Sequence, residues 1–323
     1  VRVAAPADVP TRDPAAIDVA ILDMNHGYAN VGHDAIVAIV RDAALGLDTE
    51  LARRGRRIRV LSYDVRGALA VPEHDGRHRL FLGTGGPGHL DPRQNTLDDG
   101  TRTIREDPAW EPKLWELFAA IASDESTALY AVCHTFGLLC RWSGVADAKL
   151  RGPEKGGAMS GVGTNVLTSE ALEHPWFAPL VRSLVPPDRV PVLDSRYYDL
   201  VPPARDAAPR DATSGLRPIA IAHEEARDGA PGDALTMLEL ARDPGGVPRI
   251  FGVNSHPEIG SPERVEELLA RLLALGTIDE TVHAQRSAVL PTLRDDRREA
   301  RMLVGRYVFS DLVRERVARL VAA

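Results

Sequence analysis

The chain has little cysteine, few aromatic residues and no long apolar run, and each shortage narrows what it can be. Two cysteines in 323 residues cannot build a disulfide framework, and with no signal-like apolar stretch they point to a reducing cytoplasm. No run of 18 apolar residues occurs, so a membrane span is not expected. Basic charge is short too. The 39 Lys and Arg stand against 46 Asp and Glu, a formal net charge of −7, whereas a nucleic-acid footprint needs a basic face. Arg53, Arg54, Arg56 and Arg57 form the one basic cluster, which reads as cations at a helix C-terminus. Neither cysteine has a Cys or His partner at zinc spacing, and no Gly-Lys-Ser/Thr cradle for phosphate is present. No cofactor and no metal is implied.

What is present is an ordinary globular balance, 44% hydrophobic and 26% charged, enough to bury a large core. Residues 1–16, rich in Pro, Ala and Asp, read as a loose tail. Short apolar runs at 17–22, 58–63, 80–82 and 128–132 read as buried strands. Helices are expected over 33–54, stopped by Gly55, over 112–122, and after residue 133. Strands alternating with helices predict a mostly parallel sheet covered on both faces, with functional groups at the carboxyl ends of its strands. The stretch 151–243 differs: short strands near 165–168, 190–193, 219–222 and 235–240, broken by Pro-, Gly- and Asp-rich loops, read as antiparallel decoration shaping a pocket. Residues 277–323 turn helical. That extension could pack on its own domain or meet a second copy or another partner.

Three motifs carry chemistry. Cys133 follows the apolar run Ala128-Leu-Tyr-Ala-Val132 and precedes a helical pattern with Phe136, Leu139 and Cys140 on one stripe. A free cysteine is commonly just a small buried hydrophobe, and Cys140 reads that way, but a strand-to-helix turn can present a thiol as a nucleophile. Second, Phe251-Gly-Val-Asn-Ser-His-Pro-Glu-Ile259 puts His256 and Glu258 two apart, on one side of extended backbone. Pro257 biases His256 toward that conformation. An imidazole beside a carboxylate that holds its other nitrogen is the arrangement of a base and its orienting acid. Third, Gly83–Gly88 spells G-x-G-x-x-G. A dinucleotide fingerprint must open a helix, whereas Pro87 and Pro92 favour a loop. Bare N–H groups facing a developing negative charge fit it better.

A Gly-Gly-Pro-Gly loop, a cysteine between strand and helix, and a late His-Pro-Glu together resemble the class I glutamine amidotransferase superfamily, over residues 17–276. The resemblance implies a flavodoxin-like three-layer α/β sandwich with antiparallel insertions and a C-terminal helical extension. It implies Cys133 as nucleophile, His256 as base and Glu258 as orienting acid, with an oxyanion hole from the backbone N–H of His134 and of the Gly85, Gly86 and Gly88 loop. The activity it implies is thioester-mediated cleavage of a small amino-acid-like amide, with ammonia passed to a synthetase or another acceptor. The chain departs from the family pattern at Ala131, Thr135 and Gly137, the last standing where a glutamine-contacting Gln is expected, and at Asn254. Asp194-Ser-Arg-Tyr-Tyr-Asp-Leu200 and Glu154–Gly161 are similar to segments of homoserine O-acyltransferases of the succinyltransferase type. That likeness implies acyl transfer as an alternative. Arg196, Tyr197 and Asn254 are the candidate substrate contacts, with Arg196 either holding a ligand carboxylate or pairing with Asp194 or Asp199. A catalytically idle, ligand- or partner-binding homologue is the third reading.

Overall fold

The computed structural model describes the whole chain except residues 29, 97–104, 153, 154, 156, 204–215, 260, 261, 275–278, 289 and 292–297. Its strands are β1 (Arg2–Val3), β2 (Ala16–Asp23), β3 (Arg57–Asp64), β4 (His78–Gly83), β5 (Ala128–Val132), β6 (Asp147–Leu150), β7 (Met159–Leu167), β8 (Arg189–Arg196), β9 (Tyr198–Val201), β10 (Ile219–Glu225), β11 (Pro231–Arg242) and β12 (Pro248–Val253). The helices are α1 (Val31–Leu45), α2 (Asp48–Arg53), α3 (Trp110–Ser123), α4 (His134–Ser143), α5 (Ser169–Leu172), α6 (Ala178–Ser183), α7 (Pro262–Ala274), α8 (Glu280–Ser287) and α9 (Arg298–Gly305). A π-helical turn, Arg306–Ser310, joins α9 to α10 (Asp311–Ala322).

One ten-stranded sheet runs β1-β3-β2-β4-β5-β12-β11-β10-β7-β8. The first six strands are parallel neighbours, and β3-β2-β4-β5-β12 is the flavodoxin order. Burial explains why these runs are strands. Val19, Ile21, Leu80, Leu82, Tyr130 and Val132 point into a core closed by α1 and α10, whereas Ala20, Leu22, Phe81, Leu129 and Ala131 point into a second core closed by α3 and α4. A strand covered on both faces is apolar at every position. The fold is therefore the three-layer, mostly parallel α/β sandwich expected.

Three expectations change, and one left open is decided. Residues 1–16 are not a loose tail: Arg2 and Val3 pair with Ser62 and Tyr63 of β3, and Val3 is buried. The helix expected over 33–54 is two helices, because Gly46 ends α1 and Asp48 opens α2 after Leu45 has turned out to solvent. The middle stretch is not decoration on a finished sheet. β11, β10, β7 and β8 extend it antiparallel from β12, and only β6 with β9 forms a separate ribbon. The C-terminal helices bury Val304, Val308, Phe309, Leu312, Val313, Val317 and Val321 in the chain's own core, so this apolar face is already covered without a second copy. The expected boundary at 276/277 and Glu154 lie outside the described residues.

At the start of β4, the neutral ring of buried His78 accepts a hydrogen bond from the Tyr63 hydroxyl, 2.8 Å away, while its other nitrogen donates to the Asp18 carbonyl at 3.3 Å. Burial pushes His78 down to about 4 and Tyr63 up to about 12. A histidine depressed on folding binds its proton more readily in the unfolded chain. Its stabilising contribution is complete above about pH 6.5 and is lost as pH falls toward about 4, by about 3 kcal/mol in all. Urea unfolding at pH 7 and pH 4.5 should therefore show a larger acid loss for wild type than for His78→Gln. Equal losses would refute the assignment.

Candidate active site

Cys133 sits at the C-terminal end of β5, between β4 and β12, and its N–H donates to the Val253 carbonyl at 2.8 Å. Its backbone is at φ 48°, ψ −102°, and α4 begins with the next residue. A side chain at positive φ costs roughly 1–3 kcal/mol and persists only where its surroundings enforce it. Here they do. Gly83 and Gly252 flank Ala131 in register on the two neighbouring strands. A Cβ at Gly83 would strike Thr135 at 2.2 Å, and one at Gly252 would strike Phe136 at 2.6 Å. The room for a sharp turn thus comes from glycines on adjacent strands, which explains how Ala131 and Thr135 are accommodated. Thr135 is fixed by its hydroxyl, which donates to the Thr84 carbonyl at 2.7 Å.

His256 follows β12, and its N–H donates to the Leu193 carbonyl of β8 at 2.8 Å. Its Nδ1–H donates to Glu258 Oε1, also at 2.8 Å, and the Cys133 sulfur is the other neighbour that acts on the ring's charge. Burial opposes charge on His256, but the Glu258 carboxylate and the Cys133 sulfur outweigh it and hold the imidazole well above its ordinary range. The Glu258 side chain is buried beside the first turn of α1, where a Cβ on Gly32 would lie 2.6 Å from Oε1. The positive end of a helix favours a carboxylate there. Asn30 caps that helix by accepting from the N–H groups of Gly32 and His33.

The glycine loop faces this pair. A Cβ on Gly85 would meet His256 Cε1 at 3.0 Å and Cys133 Cβ at 3.4 Å, one on Gly86 would strike the Met24 carbonyl at 2.3 Å, and Gly88 has φ +87°. Arg66, wholly buried, donates through Nη1 to the carbonyls of Met24 and Pro87 at 2.9 and 2.6 Å and pairs with buried Glu106 through Nε and Nη2. His134 opens α4, so its N–H has no partner one turn back. Its ring is buried, and burial together with the nearby Arg66 and Arg141 keeps it neutral, far below its usual range.

The remaining wall comes from the end of β8. The Cys133 sulfur lies 3.8 Å from the Ser195 carbonyl. Arg196 is buried, paired with Asp194, with Asp199 at 3.1 Å and with Glu224 at 3.0 Å. Arg151 and Lys155 join the same network through Asp199. Of the two roles open to Arg196, ion pairing with both Asp194 and Asp199 is what its geometry displays. Tyr197 is exposed just past β8, its carbonyl accepting from the Arg151 N–H. Asn254 is buried, its N–H donating to the Thr236 carbonyl, while its side-chain amide nitrogen meets no partner among the described residues. At Gly137, a Cβ would strike Leu90 at 2.4 Å. Leu90 fills the space beside the position where the family pattern has Gln.

Cys133, His256, Glu258, Gly85 and Gly86 are brought together; Arg196 and Tyr197 border the same end of the sheet. Sequence reasoning missed Gly32, Arg66 and Leu90. None carries a motif, and only the glycine inside an otherwise regular helix start at 32 offered a signal. Among the described residues no group of three or more His, Cys, Asp or Glu side chains could hold a metal ion, and no helix is long and apolar enough to cross a membrane.

No family model matches the chain, and no curated protein matches it. Among solved structures it is similar to a glutamine amidotransferase from Thermotoga maritima, 16% identical over 94% of this chain and 99% of that one, with a TM-score of 0.49. It is also similar to a glutamine amidotransferase from Methylobacillus flagellatus, 14% identical over 94% and 95% of the two chains, with a TM-score of 0.47. Likeness this distant says nothing of substrate or reaction. The strand order and the turn at Cys133 give the chain by itself a flavodoxin-like, three-layer α/β sandwich with a sharp strand-to-helix turn at the end of β5.

Proposed function

We propose that the chain is a cysteine-dependent enzyme that cleaves a small amino-acid-like amide and releases or transfers ammonia, in the manner of class I glutamine amidotransferases. The observation that carries this reading is the convergence of Cys133 and the hydrogen-bonded His256–Glu258 pair beside Gly85, with Cys133 on a strained strand-to-helix turn. In the first step the Cys133 sulfur attacks the amide carbonyl. The C–N bond breaks, and the proton held on His256 goes to the departing nitrogen, leaving a thioester. Water, activated by the neutral imidazole, then cleaves the thioester, and Glu258 stays ionised to hold the ring. In this reading the N–H groups of His134 and of the Gly85–Gly86 segment stabilise the oxyanion at each step.

Free glutamine is expected to be a poor substrate. Gly137 offers no side chain to an amide, Leu90 fills the adjacent space, and a site lacking its polar contacts loses affinity heavily. Ammonia would then go to a synthetase partner or another acceptor. The β8 end beside the thiol, Asp194-Ser195-Arg196, keeps acyl transfer to a hydroxyl as the second reading. Incubation with glutamine and other small ω-amides, and separately with acyl-CoA plus homoserine, distinguishes them. Ammonia without free thiol is the expected result, while free thiol without ammonia would make the chain an acyltransferase. Silence in both, with a thiol of ordinary reactivity, would leave the idle homologue.

A further inference from the structure

The turn His256-Pro257-Glu258 is gripped at three points. At its start the His256 N–H is held by the Leu193 carbonyl of β8 at 2.8 Å. At its end the Glu258 carboxylate abuts Gly32 of α1. Between them, Gly305 at the end of α9 lies so close that a Cβ there would sit 2.7 Å from the Pro257 carbonyl oxygen. Gly305 has ordinary helical angles, φ −56° and ψ −36°, so no backbone conformation calls for glycine. Glycine is disfavoured inside a helical run, and α9 continues directly into the π turn. Close approach to Pro257 is the reason left for glycine at this position.

There is no slack to absorb a side chain. The crevice lined by Leu193, His256, Pro257, Arg301, Val304 and Gly305 holds only about 10 Å³, at or below what a single water needs. The C-terminal segment is itself anchored well away from the turn. Trp176 donates to the Tyr307 carbonyl at 2.9 Å, and Arg316 donates to the Tyr130 hydroxyl and the Pro248 carbonyl, both at 3.0 Å. A displacement at Gly305 is therefore passed to Pro257 and not to the helix.

We infer that Gly305 and Val304, carried by the C-terminal helical segment, are positioning residues that set the His256–Glu258 turn against Cys133. The inference rests on the proposed cysteine chemistry and gives the segment 298–323 a part in it. The charged and titratable groups around His256 are Cys133, Glu258, Asp194 of β8 and Arg301 of α9, and a shifted turn changes its distance to all of them.

The test needs no substrate. Alkylation of Cys133 by iodoacetamide is followed at pH 6 and pH 8.5, with glutathione as the reference thiol. The pH 6 to pH 8.5 rate ratio reads how well His256 serves the sulfur, which a loss of global stability alone does not change. Wild type should exceed glutathione in this ratio. Gly305→Ala, which overfills the contact, should lower it about tenfold, the equivalent of one pH unit. Val304→Ala, which loosens the contact, should lower it about threefold, and the exposed Met302→Ala on the same helix should match wild type. If Gly305→Ala does not fold, Val304→Ala decides, since loss of two core methyl groups is ordinarily tolerated. Wild-type ratios in both folded variants would overturn the inference while leaving the cysteine chemistry intact. A wild-type ratio no higher than that of glutathione would overturn the cysteine chemistry and this inference with it.

Discussion

Cys133→Ala is expected to lose turnover by roughly 10³-fold or more, and His256→Ala to lose it comparably, whichever assay is positive. The two residues act on the same bond, so the double variant should be little worse than either single one, because members of a catalytic unit are grossly non-additive. The chain carries its own control. Cys140 is completely buried and burial drives its thiol well above the ordinary range, so it should stay unlabelled in the native protein. Cys133 is reachable, at the mouth where its sulfur faces Ser195. Intact-mass analysis after brief iodoacetamide treatment should show one adduct in wild type, on the peptide bearing Cys133, and none in Cys133→Ala. Retained turnover in that variant would remove the cysteine from the mechanism, whatever the labelling showed.

Arg66→Ala should give the largest loss of stability among the substitutions considered. Arg66 and Glu106 have no exposed side-chain surface, and Glu106 also accepts from Asn95 and from the Trp110 ring N–H. Removing the guanidinium leaves a buried carboxylate without its counter-charge, a change that costs about 3–5 kcal/mol. In a chain of this size that lowers the melting temperature by roughly 5–10 °C. The pair is not only structural. The same guanidinium holds the carbonyls of Met24 and Pro87, and so fixes the loop that carries Gly85, Gly86 and Gly88. Arg66→Met with Glu106→Leu replaces both charges with apolar groups and should recover most of the stability. It should not recover activity, because neither carbonyl is held. Recovery of both together would show that the loop is rigid without Arg66.

Much of the parallel half of the sheet could be read along the chain, because a strand covered on both faces must be apolar at every position and stop at a polar turn. The runs leading to Gly83, Cys133 and Val253 do this, so the ends of β4, β5 and β12, and with them the glycine loop, the thiol and His256, were placed by local pattern. The same kind of local information missed the break at Gly46 and misread residues 1–16, because pairing of Arg2 and Val3 with β3 depends on residues sixty positions away.

The sequence by itself determined which residues carry groups suited to the proposed chemistry. Cys133 stands between a buried strand and a helix, and His256 and Glu258 are kept on one side by Pro257; these are properties of adjacent residues. Tertiary structure decided how they are held. Arg196 closes an ion-pair network and not a visible ligand site because Asp194, Asp199 and Glu224 converge on it from three strands or strand ends. Leu90 fills the space beside Gly137 from a separate loop. Gly32 and Gly305 matter through contacts with Glu258 and Pro257, and Arg66 through contacts with Glu106 and the glycine loop, all far off in the chain. A glycine required by a close approach, or an arginine required by a distant carbonyl, leaves no periodicity and no motif. Its reason exists only once the partner has been brought beside it.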